Sequence, residues 1–314
     1  MMTWVLAALA TQEAVKAAVE RAIPLLEKSS ALYVKEKSCF SCHHQALPFF
    51  ALASARAGGF KVDEENLRAQ LRYTAESLER GKRAYEEGRG QGGRTATAGY
   101  ALWSLQSGEW KADATTSAVV EFLLADGKDK GYWSPPSNRP PSEASSFTTT
   151  FLALRGLAAF GSEEQKGRAR ERIERARQWL LSTAPKETED RVFRLRALRE
   201  LGEDVADAAK ELCRTQRDDG GWAQLDGAAS DAYATGSALA ALREAGGLSV
   251  GDAAYRRGVA WIVAAQKDDG TWHVATRAKP IQEYFESGFP HGKDQFISIT
   301  ATAWAVVALV PAVP

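Results

Sequence analysis

One helical signature keeps returning along this chain and restricts what it can fold into. An apolar residue is followed by another three positions later, and then often by a glycine four beyond. Leu52, Ala55 and Gly59 carry it, as do Leu154, Leu157 and Gly161, then Leu195, Leu198 and Gly202, then Leu239, Leu242 and Gly246. Leu102 and Leu105 with Gly108, and Val306 and Leu309 before Pro311, are looser copies. A spacing of three lies on one helical face, and the glycine fits a left-handed C-cap that stops the helix. Between these segments lie others near Gln12–Lys28, Glu64–Arg80, Ala112–Ala125, Glu163–Leu181, Asp204–Thr215 and Asp252–Ala265, read as amphipathic and rich in Arg, Lys and Glu. The first set is apolar or small nearly all round, and such a helix is buried. Six outer helices alternating with six inner ones, at a period of roughly 40–70 residues, predict a closed double ring rather than an open solenoid. The expected fold is all-α, a single α/α toroid over residues 11–314.

The loops carry a second signature. In "RGVAWIVAAQKDDGTW", Gln266 ends an outer segment and a Gly turn leads to Trp272; "LCRTQRDDGGW" repeats this with Gln216, Gly220 and Trp222, and "EFLLADGKDKGYW" is a weaker copy ending at Trp133. Gln can bond the orphan backbone groups of a helix terminus, and Trp can cover them with an apolar plate. These segments resemble the QW repeats of the squalene-hopene cyclase and protein prenyltransferase β-subunit superfamily. The "ESGFPHG…DQFIS" and "SCHHQ" runs are also similar to bacterial squalene-cyclase-like proteins. The resemblance implies the toroid and leaves the chemistry open, since QW motifs brace the ring. "SDAYATGSALAAL" resembles the inner helix that supplies the zinc histidine in prenyltransferase β-subunits, but that position is Ala234 here and Asp231 alone matches. The cyclases' Asp-x-Asp-Asp acid is missing as well, and Asp218-Asp219 and Asp268-Asp269 read as turn residues.

The stretch most suggestive of chemistry is "SCFSCHHQ", with Cys39, Cys42, His43 and His44 opening the first inner helix. In a closed ring the first and last inner helices are neighbours. His273 and His291, in the long connection before the last inner helix, are therefore expected at the same rim. Three readings of Cys39-x-x-Cys42-His43 stay open. In a c-type haem, Cys39 and Cys42 would add to the vinyl groups and His43 would bind iron. The only methionines are Met1 and Met2, so the sixth position would be taken by His291 or His273, or left open. In a metal clip, Cys39, Cys42, His44 (or His43) and His291 would suit tetrahedral zinc. The third reading is a Cys39–Cys42 disulfide or dithiol. Further candidates to face the cavity are Tyr233, and Glu283, Glu286 and Asp294 in the long connection, read as a folded cap over the cavity mouth; for Asp231, Arg191, Arg94, Arg139 and the hydroxyls of Ser145–Thr150, capping or a rim contact is the plainer role. Cys213 reads as a packing cysteine. The Gly-rich run Gly88–Arg94 lacks the Lys-Ser/Thr ending of a phosphate loop.

Lys plus Arg balances Asp plus Glu, 40 against 40, so no global field draws nucleic acid or an anionic membrane. No apolar run reads as long enough to span a bilayer. "MMTWVLAALA" resembles the end of a secretory signal, without its positive n-region, so residues 1–10 are expected to be a leader remnant and the protein periplasmic or secreted. Two functions follow as expectations. One is a redox toroid carrying haem c at its rim, with a redox partner. The other is a toroid that binds or converts an apolar, isoprenoid-type molecule, with zinc or a structural Cys-x-x-Cys. Fold alone does not choose between enzyme and binding protein.

Overall fold

The computed structural model describes residues 10–280 and 284–313, so all but the last residue of the expected leader at residues 1–10, and the candidate Glu283, lie outside the described residues. Among the described residues the regular structure is helical: α1 (Gln12–Glu36), α2 (Leu47–Ala57), α3 (Glu64–Glu86), α4 (Arg94–Ser107), α5 (Ala114–Ala125), α6 (Ser146–Phe160), α7 (Lys166–Ser182), α8 (Thr188–Glu200), α9 (Ala206–Arg214), α10 (Ala232–Glu244), α11 (Ala253–Ala265) and α12 (Gln295–Leu309). A π-helical turn, Cys42–Ala46, leads into α2. Side-chain caps set several starts. Asp63 accepts from the amides of Glu65 and Asn66 at 3.0 and 2.9 Å, and Asp113 forms a capping box with Thr116.

The even-numbered helices form the inner ring, each packed on the next, and α12 returns to α2. The odd-numbered helices lie outside them. Small residues let the inner helices approach closely: a Cβ added at Gly236 on α10 would stand 2.8 Å from the backbone of Trp304 on α12. The ring is filled across its middle. Phe50, Trp103, Phe151, Phe193 and Trp304, from five inner helices, meet around Trp103, with centroids 4.1 Å apart for Phe50–Trp103 and 5.3 Å for Trp103–Phe151. Open space is left at the two ends.

The QW loops hold the ring by a repeated set of bonds. Trp222 Nε1 donates to the Leu212 carbonyl at 2.9 Å, and Trp272 Nε1 to the Ile262 carbonyl at 2.7 Å, each ten residues back. Trp133 does the same to Leu123 at 2.8 Å, so the degenerate copy keeps the Trp contact. Each Trp amide also takes a threonine hydroxyl on the following inner helix: Thr150, Thr235 or Thr302. Gln216 bridges its own turn and the next outer helix through the Gly220 and Ala254 carbonyls at 2.9 and 2.8 Å. Gln266 does so through Gly270 and Ala18, both at 2.9 Å, and Ala18 belongs to α1. The second copy therefore fastens the last outer helix to the first. Gly220 and Gly270 are required there twice over: their φ angles are +92° and +86°, and a Cβ would meet the Arg257 or Arg21 carbonyl at 2.8 or 2.9 Å.

Three local expectations need correction. Gly59 and Gly202 are left-handed C-caps, but Gly161 has φ −64°, and near Gly108 and Gly246 the left-handed residue is the next one, Glu109 or Gly247. The Ala114–Ala125 outer helix is not charge-rich: Thr115 to Val120 and Phe122 to Leu124 are mostly buried, because α3 and α7 flank it and α6 lies beneath. The run Gly292–Ala312 is long and apolar enough to cross a membrane, yet 83% of its most apolar stretch is buried, as the last inner helix. Its surround of α10, α2, α1 and α11 accounts for an all-round apolar surface.

Candidate functional site

Each loop from an outer to an inner helix ends at the same face of the ring, so the N-termini of the inner helices share one rim. There Ser41 caps the π-helical turn: its amide donates to Gln45 Oε1 at 2.7 Å, and its Oγ accepts from the His44 amide at 3.3 Å. This holds the His43 and His44 rings together, Nδ1 to Nδ1 at 2.7 Å, so one ring donates and the other accepts. His43 Nδ1 also lies 2.7 Å from Ser41 Oγ. His44 stacks on Tyr33 of α1 at 4.9 Å and meets Phe296 of α12, which packs on His43 at 4.8 Å. Both imidazoles are neutral. Burial, with Arg139 adding to it, pushes His43 down to about 3, and burial followed by His43 holds His44 well below its ordinary value.

His43 is one wall of a cavity of about 430 Å³ at this rim. Pro140, Pro141, Phe296 and Ile297 are the apolar part of its lining, and Arg139, Lys279 and Lys293 the basic part. Glu143 also lines it, bonded by Arg139 at 2.9 Å and by the Cys42 thiol at 3.6 Å. Burial, then Glu143, keeps that thiol well above its usual range, so Cys42 is a protonated thiol. Cys39 is exposed, with its sulfur 3.4 Å from the Tyr33 hydroxyl. Neither is in a disulfide in the structure, so the third sequence reading survives only as the dithiol.

His273 and His291 do reach the same rim, but as a separate pair with rings 4.7 Å apart. His273 Nε2 bonds Asp294 at 2.9 Å. Thr271 gives its hydroxyl proton to Asp269 at 2.6 Å, so the His291 Nε2 contact of 2.6 Å to the same oxygen makes His291 the donor. That nitrogen is therefore occupied. Among the described residues no three His, Cys, Asp or Glu side chains come together as a metal set, and the expected zinc ligands Cys39, Cys42, His44 and His291 are divided between the two clusters. The physical cause is the loop after Trp272, whose own turn bonds hold His291 away from the π-helical turn.

Asp231 caps α10, accepting from the Ala234 amide at 3.0 Å and from Gln224 at 3.1 Å. Arg191 faces outward to Glu211 of α9 at 3.6 Å, a correction to its expected place at the cavity. Arg94 pairs with Asp126 at 2.8 Å. Glu286 accepts from the Tyr284 hydroxyl at 2.8 Å and closes a turn, and Asp294 also accepts from the Thr276 amide at 3.0 Å. Cys213 is only half-buried, against the core. Tyr233 is interior, and its hydroxyl donates to Glu189 at 3.0 Å.

Glu189 is the residue sequence reasoning missed. It is 4% exposed, takes a second bond from Thr148 at 2.8 Å, and burial raises it to about 7 against those bonds. A signal existed: α8 is the one inner helix whose first turn carries acids. Glu189 does not line the rim cavity.

Residues 191–313 match the profile of the squalene-hopene cyclase C-terminal domain. The type II terpene cyclase MstE from Scytonema, in its apo form, superposes with a TM-score of 0.58 over 97% of this chain and 99% of its own, at 15% identity. These likenesses show the fold, an α/α toroid, and residues 191–313 are similar to the squalene-hopene cyclase C-terminal domain. A second Scytonema structure, holding the substrate geranylgeranyl dihydroxybenzoate, gives 0.55 at 13% identity over 96% and 98% of the two chains. A glycosidase matches almost as well, with a TM-score of 0.55 and 11% identity over 94% and 98%. The toroid is thus a scaffold found in proteins of unlike chemistry, and the function of this chain rests on its own rim residues.

Proposed function

We propose that the rim cavity binds an amphipathic small molecule with an isoprenoid-type apolar body and an acidic head. The observation that carries this reading is the mixed lining: prolines, Phe296 and Ile297 together with Arg139, Lys279 and Lys293. Glu143 offsets Arg139, which leaves the two lysines to meet an anion. A volume of about 430 Å³ lies in the range of small-molecule sites. The filled middle of the ring confines the ligand to the mouth, and a substrate that joins a geranylgeranyl chain to a benzoate, as in the Scytonema complex, has the required chemistry. The reading is one of binding, since the buried acid Glu189 stands outside the cavity wall. The test is titration calorimetry with geranylgeranyl dihydroxybenzoate and with geranylgeraniol. The acid should bind at least about tenfold more tightly, and Lys279→Glu with Lys293→Glu should remove that preference. Equal affinities, or no saturable binding, would refute it.

A second reading places covalent haem c in the same cavity, supported by the run Cys39-Phe40-Ser41-Cys42-His43 and by His43 in the cavity wall. In the packing described above the set does not fit a haem: the two sulfurs face different partners, and Phe296 covers the His43 ring. Export and a redox partner belong to this reading. A haem-stained denaturing gel of protein matured in a cytochrome c-competent host, beside Cys42→Ala, decides it: a band lost in the variant establishes haem, and a bare wild-type chain ends the reading.

A further inference from the structure

The opposite end of the ring, where the inner helices terminate, holds a second cavity of about 240 Å³. Two arginines project to it. Arg196 of α8 is 6% exposed and uses Nη1 on Glu244 at 2.6 Å, while its Nε and Nη2 are buried with no acceptor. Arg155 of α6 uses Nη1 on Glu200 at 3.3 Å, and its buried Nε is equally without a partner. The guanidinium carbons lie over indole faces, Arg155 at 5.2 Å from Trp103 and Arg196 at 5.2 Å from Trp304.

Cations at helix C-termini are favourable, and an indole face attracts them, so the presence of positive charge here has a structural reason. The orphaned donors do not. An indole face offers only weak N–H···π contact, and buried donors in native interiors are as a rule bonded to an acceptor. The wall also carries the hydroxyl-bearing Ser54 and Ser107; Arg196 is paired with Glu244 and Arg155 with Glu200, so what the cavity offers an anion is the unused guanidinium donors. Forked guanidinium donors suit a planar or tetrahedral oxyanion.

We propose that this lower cavity is a binding site for a small oxyanion, a carboxylate or phosphate group, clamped by Arg196 and Arg155 between Trp103 and Trp304. It lies at the far end from the rim cavity and does not depend on the ligand proposed there. Glu244 then acts as an internal competitor that occupies Arg196 Nη1 when the anion is absent.

The test is titration of the full chain with inorganic phosphate and, separately, benzoate, at constant ionic strength made up with sodium chloride. It is read by tryptophan fluorescence and by thermal unfolding. At least one anion should give a saturable change that sodium chloride does not, and the arm that responds identifies the head group. Arg155→Gln should weaken its apparent affinity about tenfold, and Glu244→Gln should strengthen it several-fold. Both substituted side chains are partly exposed, 25% and 49%, so the variants do not hollow the core. A response reproduced by sodium chloride, no response to either anion, or affinities unmoved by both substitutions would overturn the proposal.

Discussion

Replacing Gln266 by leucine tests whether the ring is closed. The amide nitrogen bonds the Gly270 carbonyl within its own turn and the Ala18 carbonyl on α1, each at 2.9 Å, and its oxygen accepts from Arg21 of the same helix. Gln216 makes the corresponding set with Gly220, Ala254 and Arg257, which joins sequence-adjacent outer helices α9 and α11. A typical intramolecular hydrogen bond contributes about 0.5–1.5 kcal/mol, and part-buried carbonyls left unpaired add to the loss. Each substitution should therefore cost about 2–3 kcal/mol. At about 2 °C per kcal/mol for a domain of this size, thermal unfolding should move down by about 4–6 °C in both Gln216→Leu and Gln266→Leu. The comparison matters more than either value. In an open solenoid the α11–α1 contact would not exist, and Gln266→Leu would lose only its bond to Gly270. A Gln266→Leu shift less than about half that of Gln216→Leu would refute closure through this contact.

Three further outcomes are expected. Gly236→Ala forces a Cβ to 2.8 Å from the Trp304 backbone, so α10 and α12 must separate and the urea midpoint should fall by an overpacking cost of about 1–3 kcal/mol. Glu189 is raised in the folded chain from 4.5 to about 7, so the folded state holds its proton longer than the unfolded state. Its contribution is complete below pH 4.5 and is lost as pH rises through about 7, roughly 3 kcal/mol over that window, and Glu189→Gln should flatten that slope in denaturation curves recorded from pH 5 to 8. His43 behaves in the opposite sense: lowered to about 3, it stabilises above pH 6.5 and that stability drains away as pH falls toward 3. His43→Gln should therefore show a shallower acid limb, and an unchanged limb would mean that the imidazole is not buried as described.

The sites divide by how local their causes are. Cys39, Cys42, His43 and His44 were visible as a run, and their position at the start of an inner helix followed from the alternation. Their partners were not visible. Glu143 and Arg139 arrive from the loop before α6, Tyr33 from α1 and Phe296 from α12. Those contacts turn a motif with metal-ligand spacing into a neutral, packed pair of imidazoles. Arg191 shows the same lesson in reverse, since its place near an inner helix start said nothing of the Glu211 that turns it outward.

The sequence by itself determined the double ring. Its evidence is periodic and local: faces repeating at three and four residues, Gln–Gly–Trp loops, and caps such as Asp63 and Asp113, each of which acts within a few residues of itself. Only the tertiary structure decided that the middle of the ring is filled by aromatics, that two cavities remain at its ends, and that Glu189 is an acid held near neutrality. Those properties depend on side chains brought together from helices far apart in the chain, and burial, the largest cause of the shifts at Cys42, His43, His44 and Glu189, exists only once those helices have closed around them.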